Sequence, residues 1–141
     1  MSKLKLITLL STALLFIGSV RSQSYDELIA DMLVADPGTE RSMKLAQLAD
    51  IERNQGRNKR AAEFASLAVF EAEQKASNAL PQALLSLSRA QQAKGDLDGA
   101  ALSGIRASSI TENDHSGVRT AILLHLASLN LEIGNPERAL E

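Results

Sequence analysis

Beyond residue 23 the apolar residues fall at helical spacing along nearly the whole chain, and the pattern itself repeats. Leu45, Leu48 and Ala49, then Leu84, Leu87 and Ser88, then Leu123, Leu126 and Ala127 hold the same places in three stretches 39 residues apart. In each stretch the two leucines and the small residue share one face of a helix, where the small side chain admits a neighbouring helix. Each stretch then runs into a glycine, Gly56, Gly95 and Gly134, with an alanine five residues later at Ala61, Ala100 and Ala139. Glycine tolerates the left-handed backbone needed just past a helix C-terminus, so these positions predict helix stops, each with a second helix starting at once. A fixed period of this kind predicts stacked helical hairpins, an architecture that builds binding scaffolds.

Start signals divide the array further. Asp96 is placed to cap one second helix, and Asn135 with Pro136 to start another. In the first copy Arg57 holds the capping place, and the run Arg57-Asn58-Lys59-Arg60 sets positive charge against the positive end of the helix dipole, so the start is expected to move to Asn58. Ala61, Ala65 and Ala68 match Ala100, Gly104 and Ala107, a seam of small residues for close pairing within each hairpin. Ahead of the array, Tyr25 to Val34 carries apolar residues at helical spacing, closed by Asp36-Pro37-Gly38. This predicts a leading helix within residues 24–36 that covers the exposed end of the stack. Thr39 is expected to cap the first repeat helix, Ser77 or Asn78 to start the second hairpin with Pro81 in its first turn, and Asn113 or Asp114 to start the third. The hairpins are thus expected at 40–76, 78–112 and 114–141, one continuous array over 40–141. The last is incomplete, because fewer than two turns follow Asn135 to cover Leu123, Leu126 and Leu129. That predicts an N-terminal piece of a longer protein or a truncated gene product.

These residues resemble the tetratricopeptide repeat family. Its first helix carries a large residue, then a leucine and a small residue, and its turn carries Gly-Asp or Gly-Asn followed by an alanine. The resemblance covers roughly residues 42 to 141. It departs at the family's aromatic position, occupied here by Glu52, Gln91 and Asn130, and in a period five residues longer than the usual 34. Five extra residues lengthen the helix pair by roughly one and a half turns in total. The resemblance implies an all-α fold in which antiparallel hairpins stack into a right-handed superhelical solenoid.

The first 22 residues differ in kind. Lysines at 3 and 5 precede an apolar run from Leu6 to about Val20, and Val20-Arg21-Ser22 offers small or medium residues for cleavage before Gln23,. Residues 1–22 are therefore read as a secretory signal peptide. The run falls short of the roughly 20 apolar residues that span a bilayer. The chain has no cysteine for a lipid anchor or a disulfide,. Loss of Lys3, Lys5 and Arg21 turns the formal charge from −2 to −5. A mildly acidic domain of this kind argues against nucleic acid as a partner, and the basic run at 57–60, with Glu52 and Glu63 beside it, reads as a solvated helix start.

Candidate chemistry is sparse. There is no phosphate loop, no His-Glu-x-x-His and no Gly-x-Ser-x-Gly,. His115 and His125 are the two imidazoles. On one helix they would lie about 80° and about 15 Å apart, too far to share a metal. Neighbouring carboxylates such as Asp26 and Glu27, or Glu71 and Glu73, do not face each other on a helix, so general acid and base work has no visible seat. No catalytic, cofactor or metal site is expected, and the chain is not expected to be an enzyme.

Stacked hairpins offer a concave face lined by the first helix of each pair, where a protein or peptide partner docks. On the resemblance, the non-core residues of those helices are the candidate contacts: Gln47, Glu52, Gln55, Ser86, Arg89, Gln92, His125, Ser128 and Glu132. The signal sequence, the leading helix, the period and the incomplete last hairpin together resemble the exported, periplasmic or extracellular, sensory portion of bacterial signalling proteins. In those proteins the array precedes a membrane helix and an output domain such as a histidine kinase, so any enzymatic activity would lie in a missing C-terminal part. The alternative is a free-standing exported adaptor that organises an assembly. An open C-terminal end with exposed leucines also predicts self-association.

Overall fold

The computed structural model describes residues 24–134, which are helical or in turns with no strand among them. The expected signal peptide and the helix start at Asn135 and Pro136 lie outside the described residues. Six α-helices follow one another: α1 (Tyr25–Val34), α2 (Thr39–Asn54), α3 (Asn58–Lys75), α4 (Leu80–Ala93), α5 (Leu97–Ile110) and α6 (Gly117–Gly134), with a short 3-10 turn at Ser77–Ala79 before α4. The all-α class expected from the sequence is what the described residues adopt.

Two glycines make the tight reversals. Gly56 has φ 74° and Gly95 has φ 83°, a region that side chains bearing a Cβ enter at a cost,. At the first reversal the Arg57 N–H donates to the Glu52 carbonyl at 2.9 Å and the Gly56 N–H to the Arg53 carbonyl at 2.9 Å. At the second, Asp96 donates to Gln91 and Gly95 to Gln92, each at 2.9 Å. These paired bonds satisfy the last carbonyls of α2 and α4 in a Schellman arrangement. Asp96 then caps α5, its carboxylate accepting from the Gly99 N–H at 3.0 Å,. The first copy has no such cap: Arg57 keeps the capping place without a side-chain capping bond, and α3 starts at Asn58, in register with Leu97 of α5, so the expected shift of the start does not occur. The Asn58 amide instead donates to the Ala93 carbonyl at 2.7 Å, tying the start of α3 to the end of α4.

Other starts differ from expectation. Gly38, not Thr39, occupies the capping place of α2 and makes no side-chain bond. The Thr39 hydroxyl donates to Asn78 Oδ1 at 2.9 Å, so it links the starts of two hairpins rather than its own helix. Asn78 lies in the 3-10 turn, and α4 begins at Leu80 with Pro81 in its first turn,. The third hairpin begins at Gly117, not at Asn113 or Asp114, because the Asp114 carboxylate accepts from the Ser116 N–H at 2.8 Å and from its hydroxyl at 2.7 Å. That local turn outcompetes the helix.

Packing follows the small-residue seam. Ala61, Ala65, Ala68, Ala100 and Ala107 are fully buried, and Gly104 is buried beside Leu126 and Ser88. Two serines brace the pairs across that seam: Ser42 donates to the Ala68 carbonyl at 2.9 Å and Ser88 to the Ala100 carbonyl at 2.6 Å. Helices adjacent in sequence pack together throughout, and α4 also touches both α2 and α6. Leu45, Leu84, Leu85 and Ile122 join one core with the alanines of α3 and α4. The leading helix α1 adds Leu28, which is buried, and Met32, which packs against that core.

The third stretch departs from the other two. Leu45, Leu48, Ala49, Leu84 and Ser88 are buried and Leu87 half-buried, but Leu123 is 45% exposed, Ala127 is exposed and Leu126 is half-buried. In α6 the buried residues are Ile122, His125 and Leu129. These sit 39 residues after Ala83, Ser86 and Ala90, the face by which a first helix meets the preceding hairpin. The leucine face is the one that α3 and α5 cover in the earlier copies, so the register is kept while the coverage differs.

Leu48→Ala should cost roughly 2–5 kcal/mol, since the side chain is completely buried,. Nothing lies within 4 Å of a Cβ built at Gly56 or Gly95, so alanine there should cost only the backbone strain, roughly 1–2 kcal/mol. Urea unfolding of the variants measures both, and a Gly95→Ala protein as stable as the parent would refute the turn assignment.

Candidate functional site

Two polar clusters lie along the first helices. The first lies where α2, α4 and α6 come together. Here Thr39, Met43, Gln47 and Asp50 of α2, Gln82 of α4 and Val118 of α6 line a pocket of about 250 Å³, with Asn78 and Ala79 at one side. Asp50 is the polar centre of this wall. Its Oδ1 faces Arg53 Nε at 3.7 Å, and its Oδ2 lies 3.5 Å from the Ser86 hydroxyl. Neither Asp50 Oδ1 nor Arg53 Nε has a hydrogen-bond partner in the chain, although both atoms are shielded from solvent. A 3.7 Å ion pair keeps Coulomb attraction but leaves acceptor and donor capacity unspent.

Further along the same helices, His125 lies between them. Its Nε2 is 2.7 Å from Ser88 Oγ, and the Ser88 proton is committed to the Ala100 carbonyl. The serine oxygen therefore accepts, which assigns the hydrogen of the imidazole to Nε2. Burial pushes the His125 pKa down, the charges of Arg89 and Arg53 push the same way, and Glu132 opposes them,. Glu132 in turn accepts from the Gln92 amide at 2.5 Å, joining α6 to α4.

The second cluster closes the turn between α2 and α3. Glu52 is fully buried and accepts hydrogen bonds from the Tyr25 hydroxyl at 2.5 Å and from Arg57, while Arg60 stands 3.3 Å away. Arg60 also donates to the Tyr25 oxygen at 2.9 Å. The carboxylate thus places negative charge at the start of α3, where the basic run and the helix dipole would otherwise repel. The hydrogen bond from Arg57 holds the Glu52 carboxyl below the usual carboxylate range against the opposing effect of burial, with Tyr25 and Arg60 assisting,. Burial, then the bond to Glu52, raises the Tyr25 phenol above its ordinary value.

The candidate contacts divide accordingly. Gln47 is exposed and lines the pocket, and Gln55 and Ser128 are exposed. Arg89, Gln92 and Glu132 are half-buried, the last two bonded to each other. Glu52, Ser86 and His125 were expected among non-core residues, and the fold buries all three, at 0%, 1% and 8% exposure. Each is drawn inward by a polar partner on a neighbouring helix. The basic run is likewise more than a solvated start, because Arg57 and Arg60 are committed to Glu52 while Lys59 stays exposed. Asp50, Arg53 and Gln82 escape sequence reasoning, although Asp50 stands 39 residues before Arg89, a spacing that marks them as equivalent.

Both depressed pKa values act in one direction. The folded state binds those protons more weakly than the unfolded chain, so stability is complete above the unfolded pKa and lost as pH falls through the folded one. Acidification should lower the thermal midpoint first below about pH 6.5, from His125, and again below about pH 4.3, from Glu52. His125→Gln should remove the first step. Glu52→Gln should shrink the second and cost on the order of 1–3 kcal/mol at neutral pH. Circular-dichroism melts across pH 3 to 8 test both, and a midpoint flat between pH 7 and 5 would contradict the His125 assignment.

Among the described residues no cluster of three histidine or carboxylate side chains is placed to hold a metal, and no helix is long and apolar enough to cross a membrane. No family model, curated protein or solved structure matches the chain.

Proposed function

We propose that this chain is a protein- or peptide-binding scaffold of the tetratricopeptide type, a superhelical stack whose first helices α2, α4 and α6 offer the docking face. The observation that carries the reading is the pocket between those helices. Three helices 39 residues apart contribute to one wall, and that wall holds Asp50, whose shielded Oδ1 has no hydrogen-bond partner. An extended or helical peptide supplies N–H and C=O groups at the spacing that such a wall can use. Met43, 45% exposed at the same wall, provides an adaptable apolar contact,. The absence of a recognisable catalytic constellation in the sequence favours binding over catalysis.

The scaffold is further proposed to be the exported sensory part of a longer bacterial signalling protein. The support is the signal-like segment at residues 1–22 and the order of elements that follows it,. On that reading, partner occupancy of the groove is the input and the output lies elsewhere in the parent protein.

Selection of a displayed peptide library on the full chain tests the binding role. Enriched peptides should lose affinity about tenfold or more in Asp50→Ala and in Gln82→Ala, while Leu67→Ala on α3, outside the pocket, should leave it unchanged. Failure to enrich any peptide, or equal affinity for all three variants, would overturn the groove as the binding site.

A further inference from the structure

We infer that the pocket between α2, α4 and α6 takes one lysine side chain of a docked peptide. Its ammonium sits on Asp50 Oδ2, and its carbon stem lies against Met43, Ala79 and Val118. This rests on the peptide-binding reading above and adds to it the chemistry of the occupant. Size sets the first limit: whole small-molecule ligands fill clefts of roughly 300–1,000 Å³. A pocket of about 250 Å³ suits a single side chain. Charge sets the second. Among the described residues that line the pocket, Asp50 alone is charged, so an entering cation meets an anion and no competing cation on the wall. Arg53 engages Asp50 at Oδ1, at 3.7 Å and without a hydrogen bond, and does not line the pocket. A carboxylate has about four lone-pair sites and can serve a second cation.

Which cation fits follows from which oxygen is open. The Asp50 side chain is 30% exposed while its Oδ1 is shielded, so the open polar atom is Oδ2. That oxygen receives only a 3.5 Å contact from the Ser86 hydroxyl, at the outer limit of hydrogen bonding,. Arginine binds a carboxylate best as a fork, two N–H groups on two oxygens, and the shielded Oδ1 denies it the second. A lysine ammonium is a compact charge with three donors and needs one oxygen, which leaves its other protons for the amide oxygens of Gln47 and Gln82 on the same wall,. The stem has its own surface: Met43, 45% exposed, with Ala79 and Val118, gives an apolar lining for four methylenes,. A peptide's terminal amine carries no such stem and would leave that lining without a contact.

The probe is n-butylammonium, the lysine side chain closed at Cβ by a hydrogen. Titrated into the full chain labelled with nitrogen-15, it should shift the side-chain amide resonances of Gln47 and Gln82, whereas n-butanol and butyrate should not. Asp50→Asn, with unchanged helical circular dichroism, should abolish the shifts. Peptides enriched from the displayed library should share a lysine. Exchanging it for norleucine, which keeps the stem and removes the charge, should weaken binding to the parent about tenfold or more and to Asp50→Asn far less. No amide shift with butylammonium, or equal shifts with butyrate or butanol, would overturn the inference. Enriched peptides that lose affinity in Gln82→Ala yet share no lysine would overturn it too, and would leave the groove reading standing. A library that enriches nothing would overturn both together. Should Asp50→Asn fail to fold, the contrast among the three butyl compounds on the parent chain still decides the matter.

Discussion

Each of the first two hairpins depends on the chain reversing within three residues, and this fixes everything that follows. The left-handed turns at Gly56 and Gly95 bring α3 back along α2 and α5 back along α4, so the seam of alanines meets the leucine face at close range. Close approach has a second consequence. Where backbones pack on alanine and glycine, serine hydroxyls reach carbonyls across the gap, and Ser42 and Ser88 do so in successive pairs, at repeat positions two helical turns apart. Longer side chains there would separate the helices and strand those hydroxyls without partners. The period is therefore a packing constraint as much as a sequence pattern.

Glu52 shows how a departure from that pattern is accommodated. A carboxylate at a fully buried position is costly unless it is paired and hydrogen-bonded. Here the cost is offset by two arginines that would themselves be ill placed, since they stand at the positive end of α3, and by a tyrosine hydroxyl reaching in from α1. Three unfavourable placements thus become one satisfied cluster. The arginines remain half in solvent, so the site is not a closed ionic core. Its effect is positional: it fixes the leading helix over the end of the first hairpin through a polar contact as well as through Leu28 and Met32.

The helical class, the hairpin turns and the core of the first two copies are legible in the sequence because each rests on local periodicity. Where one helix turn competes with a bond to a distant or very local partner, that legibility ends. Thr39 reads as a cap but its hydroxyl is taken by Asn78, 39 residues on, and Asp114 reads as a helix start but is held by Ser116. The candidate site is less legible than the fold for a related reason. Choosing non-core residues from helix register assumes that polar means exposed. Glu52, Ser86 and His125 break that assumption, since each finds its partner on another helix and is buried with it.

The three equivalent positions Gln47, Ser86 and His125 carry this argument further. They occupy one place in the repeat, yet the first is exposed and the other two are buried. What differs is the neighbour: α4 and α6 each have a preceding hairpin to pack against on that face, while α2 has only the short α1. A repeat therefore does not confer one role on one register position. The residues that keep polar groups free at the pocket, Asp50 and Gln82, lie at the edge of the packed face, where a side chain is held by its neighbours but not covered by them. On the proposed binding role, that edge, rather than the repeat register, is where a partner would be recognised.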